Sequence, residues 1–229
     1  MTEAEWLVGK DPEDILRWLY GKVSSRRSRL FCVACARQVW HLLESDASRI
    51  AVDVAEQFAE GQATVTQLTA AWSAADLFGY SPWAASTRKN QPAALVASCT
   101  AAPGTPPLSS DAGRYTWDEQ KVKAANCAHG SVFHYAKEAG GDEHALVGLA
   151  RDCFGNSIRG LEVEPGWLTS DVLALAHGIY EERAFDRIPI LADALQDAGC
   201  GYGNILDHCR GPGPHVRGCW VVDLVLGKQ

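Results

Sequence analysis

Long apolar runs are missing from this chain of 229 residues. Nothing in it approaches the roughly eighteen uninterrupted hydrophobic residues that a membrane-spanning helix requires, so a membrane partner is not expected. A basic start followed by an apolar stretch is lacking too. The chain opens Met1-Thr2-Glu3-Ala4-Glu5, acidic where a secretory leader would be basic, and the expected location is cytoplasmic. Positive charge is in short supply: 21 Lys and Arg against 28 Asp and Glu leave a net charge of −7, which disfavours a nucleic-acid partner. Catalytic signatures are absent as well. The sequence has no phosphate loop, no dinucleotide-binding glycine pattern, no His-Glu-x-x-His and no nucleophile elbow. The one local excess of positive charge, Arg26, Arg27 and Arg29 with Arg37 further on, reads as a solvated helix start.

What is present describes a globular chain. Hydrophobic residues make up 47% and charged residues 21%, a balance that supports a buried core and not disorder. Eight cysteines in a reducing compartment are expected to be thiols, metal ligands or core residues, not disulfides.

The hydrophobic pattern is helical nearly throughout. Asp11-Pro12 opens a helix with Ile15, Leu16, Trp18 and Leu19 on its buried stripe. A longer helix is predicted from about Arg26 to Glu44. Asp46 is expected to cap the next, which Gly61 ends, and Thr64 with Gln67 forms a capping box. Residues 78–91 read as a packed loop and 92–101 as a short helix. The Pro/Gly-rich stretch at about 102–114 is the best linker, separating N-terminal and C-terminal helical halves. Helices are then expected from Thr116 to about Glu138 and from Asp142 to Phe154. Thr169 caps another, and two more follow, from Ile190 to Gly199 and near Asn204 to Arg210. The final run, Cys219 to Leu226, fits either a buried helix or a strand. Helix is preferred because no convincing strand exists elsewhere for it to pair with. The expected fold is all-α: helical hairpins packed in one globular domain, or an irregular helical array.

Two strings carry a resemblance. Leu30-Phe31-Cys32-Val33-Ala34-Cys35 with Trp40-His41-Leu42-Leu43 is one. The other runs from Ile179-Tyr180-Glu181-Glu182-Arg183-Ala184-Phe185-Asp186-Arg187 through Asp193-Ala194-Leu195 to His208-Cys209-Arg210-Gly211-Pro212-Gly213-Pro214-His215-Val216-Arg217-Gly218-Cys219-Trp220. Both resemble a group of uncharacterised bacterial proteins, over about the first sixty and last eighty residues. Many members of the group carry a further cysteine at the position of Ala36, and some have leucine at that of Cys209. The resemblance implies no activity.

Candidate sites come from thiols and imidazoles. Cys32 and Cys35 share a helix face and amount to half a zinc site, or to two small apolar side chains where helices approach closely. Cys200, Cys209, His215 and Cys219 are separated by eight, five and three residues, unlike zinc ribbons or fingers, yet the Gly-Pro-Gly-Pro turn folds His215 back towards Cys209. His208 and Cys209, being adjacent, diverge by about 100° on a helix and would not readily share one ion. A thiol mechanism would take Cys209 or Cys219 as nucleophile, a nearby histidine as base, and Asp207 or Asp223 as orienter. Among the rest, His177 is expected to be a core histidine bonded to Glu181, and His129 to be packed. Glu182, Arg183, Asp186 and Arg187 are expected to form an ion-pair network at a turn.

With enzyme motifs absent, the leading functional expectation is a non-catalytic interaction or scaffold module that recognises a protein partner through a groove between helices. The alternatives are a Cys/His metal-binding protein, with zinc as the candidate cofactor, and a cysteine-dependent enzyme.

Overall fold

A computed structural model describes residues 23–79, 91–102, 128–155 and 160–228. Ten α-helices account for most of them, and no strand occurs among the described residues. The architecture is all-α, as the periodicity required. In chain order the helices are α1 (Ser25–Gln38), α2 (Asp46–Ala59), α3 (Val65–Gly79), α4 (Gln91–Ala101), α5 (Ala128–Glu138) and α6 (Glu143–Phe154). They continue as α7 (Ser170–Glu182), α8 (Ile188–Asp197), α9 (Gly203–Arg210) and α10 (Trp220–Val225). The last of these settles the strand-or-helix choice at the C-terminus in favour of helix. Short 3-10 turns at Trp40–Leu42, Pro165–Trp167 and Phe185–Arg187 complete the described structure. No helix among the described residues is long and apolar enough to cross a membrane.

Local chemistry sets most boundaries. The Thr64/Gln67 capping box forms: Gln67 N donates to Thr64 Oγ1, and Thr64 N donates to Gln67 Oε1 at 2.8 Å. Thr169 caps α7 through Val172 N and Asp142 caps α6 through His144 N. The cap of α2 is Ser45 and not Asp46, whose place inside the first turn still suits the helix dipole. The helix expected to reach Glu44 ends at Gln38 and gives way to the Trp40–Leu42 turn. The Asp11-Pro12 helix, residues 80–90, nearly all of the 102–114 linker and the start expected at Thr116 lie outside the described residues.

The helices build two cores. In the first, α1 is central: Leu30 to Ala36 are buried without a break, because α2, α4, α5 and α6 surround the helix. Cys32 and Cys35 belong to this core, with the ring of Phe31 tilted against that of Phe154 of α6 at 5.1 Å between centroids. Helices from both sides of the 102–114 stretch share this one core. The second core is made by α7 to α10 and contains Cys200, Cys209, Cys219 and Trp220.

The arginines expected in solvent instead join the cores. Arg26 grips Asp223 of α10 with both terminal nitrogens, at 2.6 and 3.2 Å. It also donates to Glu60 and to the Tyr180 hydroxyl, which itself donates to Glu60 at 2.5 Å. Lys228 reaches Glu60, and Lys228 and Arg217 both lie over the Tyr180 ring. Arg37, Arg183 and Arg217 converge on the buried Glu56. Arg29 is also occupied, on the carbonyls of Thr100 and Ala102 at the end of α4. Of the network expected at the turn after α7, the Glu182–Arg187 pair forms at 3.0 Å, whereas Arg183 is drawn away to Glu56. His177 is exposed, not a core histidine, and the side chain of His129 lies outside the described residues.

Burial pushes the Glu60 carboxyl up, but hydrogen bonding from Tyr180 and the charges of Arg26 and Lys228 more than offset it, leaving it below the ordinary carboxylate range. Such a group contributes stability that is fully present above its unfolded value, about 4.3, and is lost as pH falls through the folded value. Urea melts at pH 7 and pH 3 should therefore show a smaller loss on acidification for Glu60→Gln than for the wild-type chain.

Candidate metal centre

The site begins with a carboxylate in an unfavourable place. Asp152 sits in the last turn of α6, where the helix dipole is negative, and its side chain is 2% exposed. Its neighbours Leu149, Ala150, Cys153 and Phe154 are buried as well. An ionised carboxylate there requires strong donors or a cation. The second core supplies them. His208, in the last turn of α9, brings Nε2 to 3.1 Å from Asp152 Oδ1. His215 brings Nδ1 to 2.7 Å from the same oxygen. The other oxygen, Oδ2, accepts the backbone N–H of Val216 at 2.9 Å, which fixes the plane of the carboxylate.

Cys219, the residue before α10, completes the group. Its Sγ is 3.4 Å from His208 Nε2 and 3.9 Å from His215 Nδ1. One ligand atom from each of the four residues lies within 4.8 Å of all the others, and no second His/Cys/Asp/Glu group of this kind occurs among the described residues. Cys219 is fully buried and His215 nearly so, with its Nε2 lacking a hydrogen-bond partner. His208 is the most open, at 18% side-chain exposure, and faces the ring of the buried Trp220 at 5.0 Å.

The turn that carries His215 lies close against α6. A Cβ on Gly148 would stand 2.6 Å from Pro214 Cδ, so only glycine allows this approach. Gly218, at φ +100°, takes the left-handed conformation that turns the chain from Arg217 into Cys219.

Burial alone would raise the Asp152 carboxyl, but hydrogen bonds from His208 and His215 outweigh it and hold the group below its usual range. Burial, reinforced by the nearby Asp152, pushes the Cys219 thiol well up, and Cys209 is raised to about 12 by the same causes. Neither shift is the lowering that activates a cysteine nucleophile. The orienters expected for a thiol mechanism are elsewhere: Asp207 is exposed and Asp223 is paired with Arg26.

Of the ligands expected from the sequence, His215 and Cys219 belong to the cluster. Cys200 and Cys209 do not: they face the second core, and the 100° step from Cys209 turns its neighbour His208 to the site. Cys32 and Cys35 lie in the first core and join no such group among the described residues. Asp152 and His208 take the remaining places. A carboxylate on the apolar stripe of α6 was the available signal for Asp152. Its distance of 63 positions from His215 meant that no local spacing could pair them.

The donor set suits a transition metal. Zinc bond lengths of about 2.0–2.3 Å place tetrahedral donors roughly 3.3–3.8 Å apart. The four donor atoms lie within 4.8 Å of one another, and the closest pair, at 2.7 Å, must open by about 0.6 Å to reach that range. Carboxylate and thiolate would neutralise a divalent ion, leaving no net charge in a buried site. No family model, curated protein or solved structure matches this chain.

Gly148→Ala should force the 211–215 turn off α6 and lower stability by about 1–3 kcal/mol in urea denaturation, because a proline ring cannot yield as a flexible side-chain end would. Asp152→Ala should cost about 1–3 kcal/mol in the same assay, since it leaves the Val216 N–H and the His215 Nδ1 without their buried acceptor.

Proposed function

We propose that this chain is a metal-binding helical protein, and that the ion is a structural zinc held by Asp152, His208, His215 and Cys219. One observation carries the reading: each imidazole turns a single nitrogen towards both Asp152 and Cys219. A nucleophile–base–orienter relay needs the two ring nitrogens to face different partners. Convergence of one nitrogen per ring on the same point is the geometry of coordination.

Four protein donors leave no coordination position for water or substrate, which favours a structural and not a catalytic ion. The scaffold role suggested by the helical architecture is kept on this reading, with the ion as its staple. None of the seven described cysteines is in a disulfide, which leaves the Cys219 sulfur available as a donor. A thiolate among the donors selects zinc over magnesium or calcium.

Elemental analysis of protein purified without added metal, followed by titration against a chromophoric chelator, tests the proposal. One zinc per chain is expected. Cys219→Ser and His208→Ala should each weaken binding beyond the roughly 10–100-fold typical of losing a supporting residue around a metal. Cys200→Ser and Cys209→Ser should retain stoichiometric zinc. Failure of the wild-type chain to bind zinc or cobalt in competition with the chelator would overturn the reading.

A further inference from the structure

We propose that the ion acts as a latch between the two cores: binding it docks α7–α10 onto α1–α6 and sets the ion pairs on the far side of that junction. This inference rests on the metal reading above and concerns its consequence. Three of the four ligands, His208, His215 and Cys219, come from the second unit, and Asp152 alone comes from the first. An ion bound by all four therefore crosses the junction through one residue.

The segment from Pro214 to Asp223 makes the coupling direct. Pro214 rests against Gly148 of α6, and Val216 packs on the first core while its N–H holds Asp152. Arg217, between the two ligands His215 and Cys219, donates to the Tyr180 carbonyl at 3.1 Å and approaches Glu56 of α2 at 3.7 Å. Gly218 meets Leu30 of α1, and Trp220 meets Gly155. Asp223, whose N–H bonds the Cys219 carbonyl at 2.9 Å, carries the bidentate pair with Arg26. The two ligands His215 and Cys219 thus bracket three residues, Val216, Arg217 and Gly218, that face α1, α2 and α6. Fixing the ligands fixes the register of the intervening side chains, because a tightly connected segment cannot shift one residue without its neighbours.

Coupling of this kind is reciprocal: what the ion does for the Arg26–Asp223 pair, that pair must do for the ion. Arg26→Ala, which removes no ligand and touches none, should therefore weaken zinc affinity by about 5-fold or more. In the wild-type chain, hydrogen exchange with and without zinc should show slowed exchange at the C-terminal turn of α7, across α10 and at the first turn of α1. The α2–α3 hairpin should stay protected in both states. The two readings fail differently. Absence of zinc binding sinks both. One zinc bound per chain, with unchanged exchange at α7 and α10, sinks the latch alone. Collapse of protection across α2–α3 on zinc removal also sinks it, since the ion would then hold the whole fold and not the docking. Should Arg26→Ala not fold, the exchange comparison on the wild-type chain decides the matter by itself.

Discussion

A carboxylate cannot be left charged, dry and at the negative end of a helix without something positive or strongly donating beside it. Asp152 is in that position, and the C-terminal third of the chain is arranged around its needs. His208 and His215 bring nitrogens to one of its oxygens, the Val216 amide takes the other, and Cys219 stands behind the two rings. Two histidines crowd one oxygen of the group. On the proposed metal reading, a divalent ion would relieve that crowding by giving each donor its own bond and cancelling the charges of carboxylate and thiolate.

The same segment explains why an extended ion-pair network survives at the junction. Exposed pairs contribute little, but Asp223 and Glu60 are buried, and each is met by more than one partner. Tyr180 sits where the two cores share polar contacts, with a cation against its ring from Arg217 and Lys228 and its hydroxyl between Arg26 and Glu60. Geometry of this quality demands that α7 and α10 hold a fixed position relative to α1. The glycines at 148 and 155, which let Pro214 and Trp220 lie directly on α6, serve the same requirement through packing.

Much of the helical order was legible in the sequence. Caps at Thr64 and Thr169, and the stop at Gly199, were readable because they depend on neighbours within a turn or two. The fates of Arg26, Arg183 and His177 were not. Arg26 and Arg183 find partners more than a hundred positions away, and His177 points to solvent although a carboxylate lies one turn ahead. Half of the candidate cluster was legible for a comparable reason. His215 and Cys219 are four residues apart around a glycine, whereas Asp152 reaches them only through the packing of α6.

Helix content, helix ends and the presence of chemically capable side chains near the C-terminus follow from the sequence alone, since propensity, capping and hydrophobic period act over a few residues. Which thiol meets which imidazole, and the recruitment of a lone carboxylate from another helix, was decided by tertiary structure. Coordination needs donors within a few ångströms of one point, and only the packing of α6 against the 211–220 segment brings these four there.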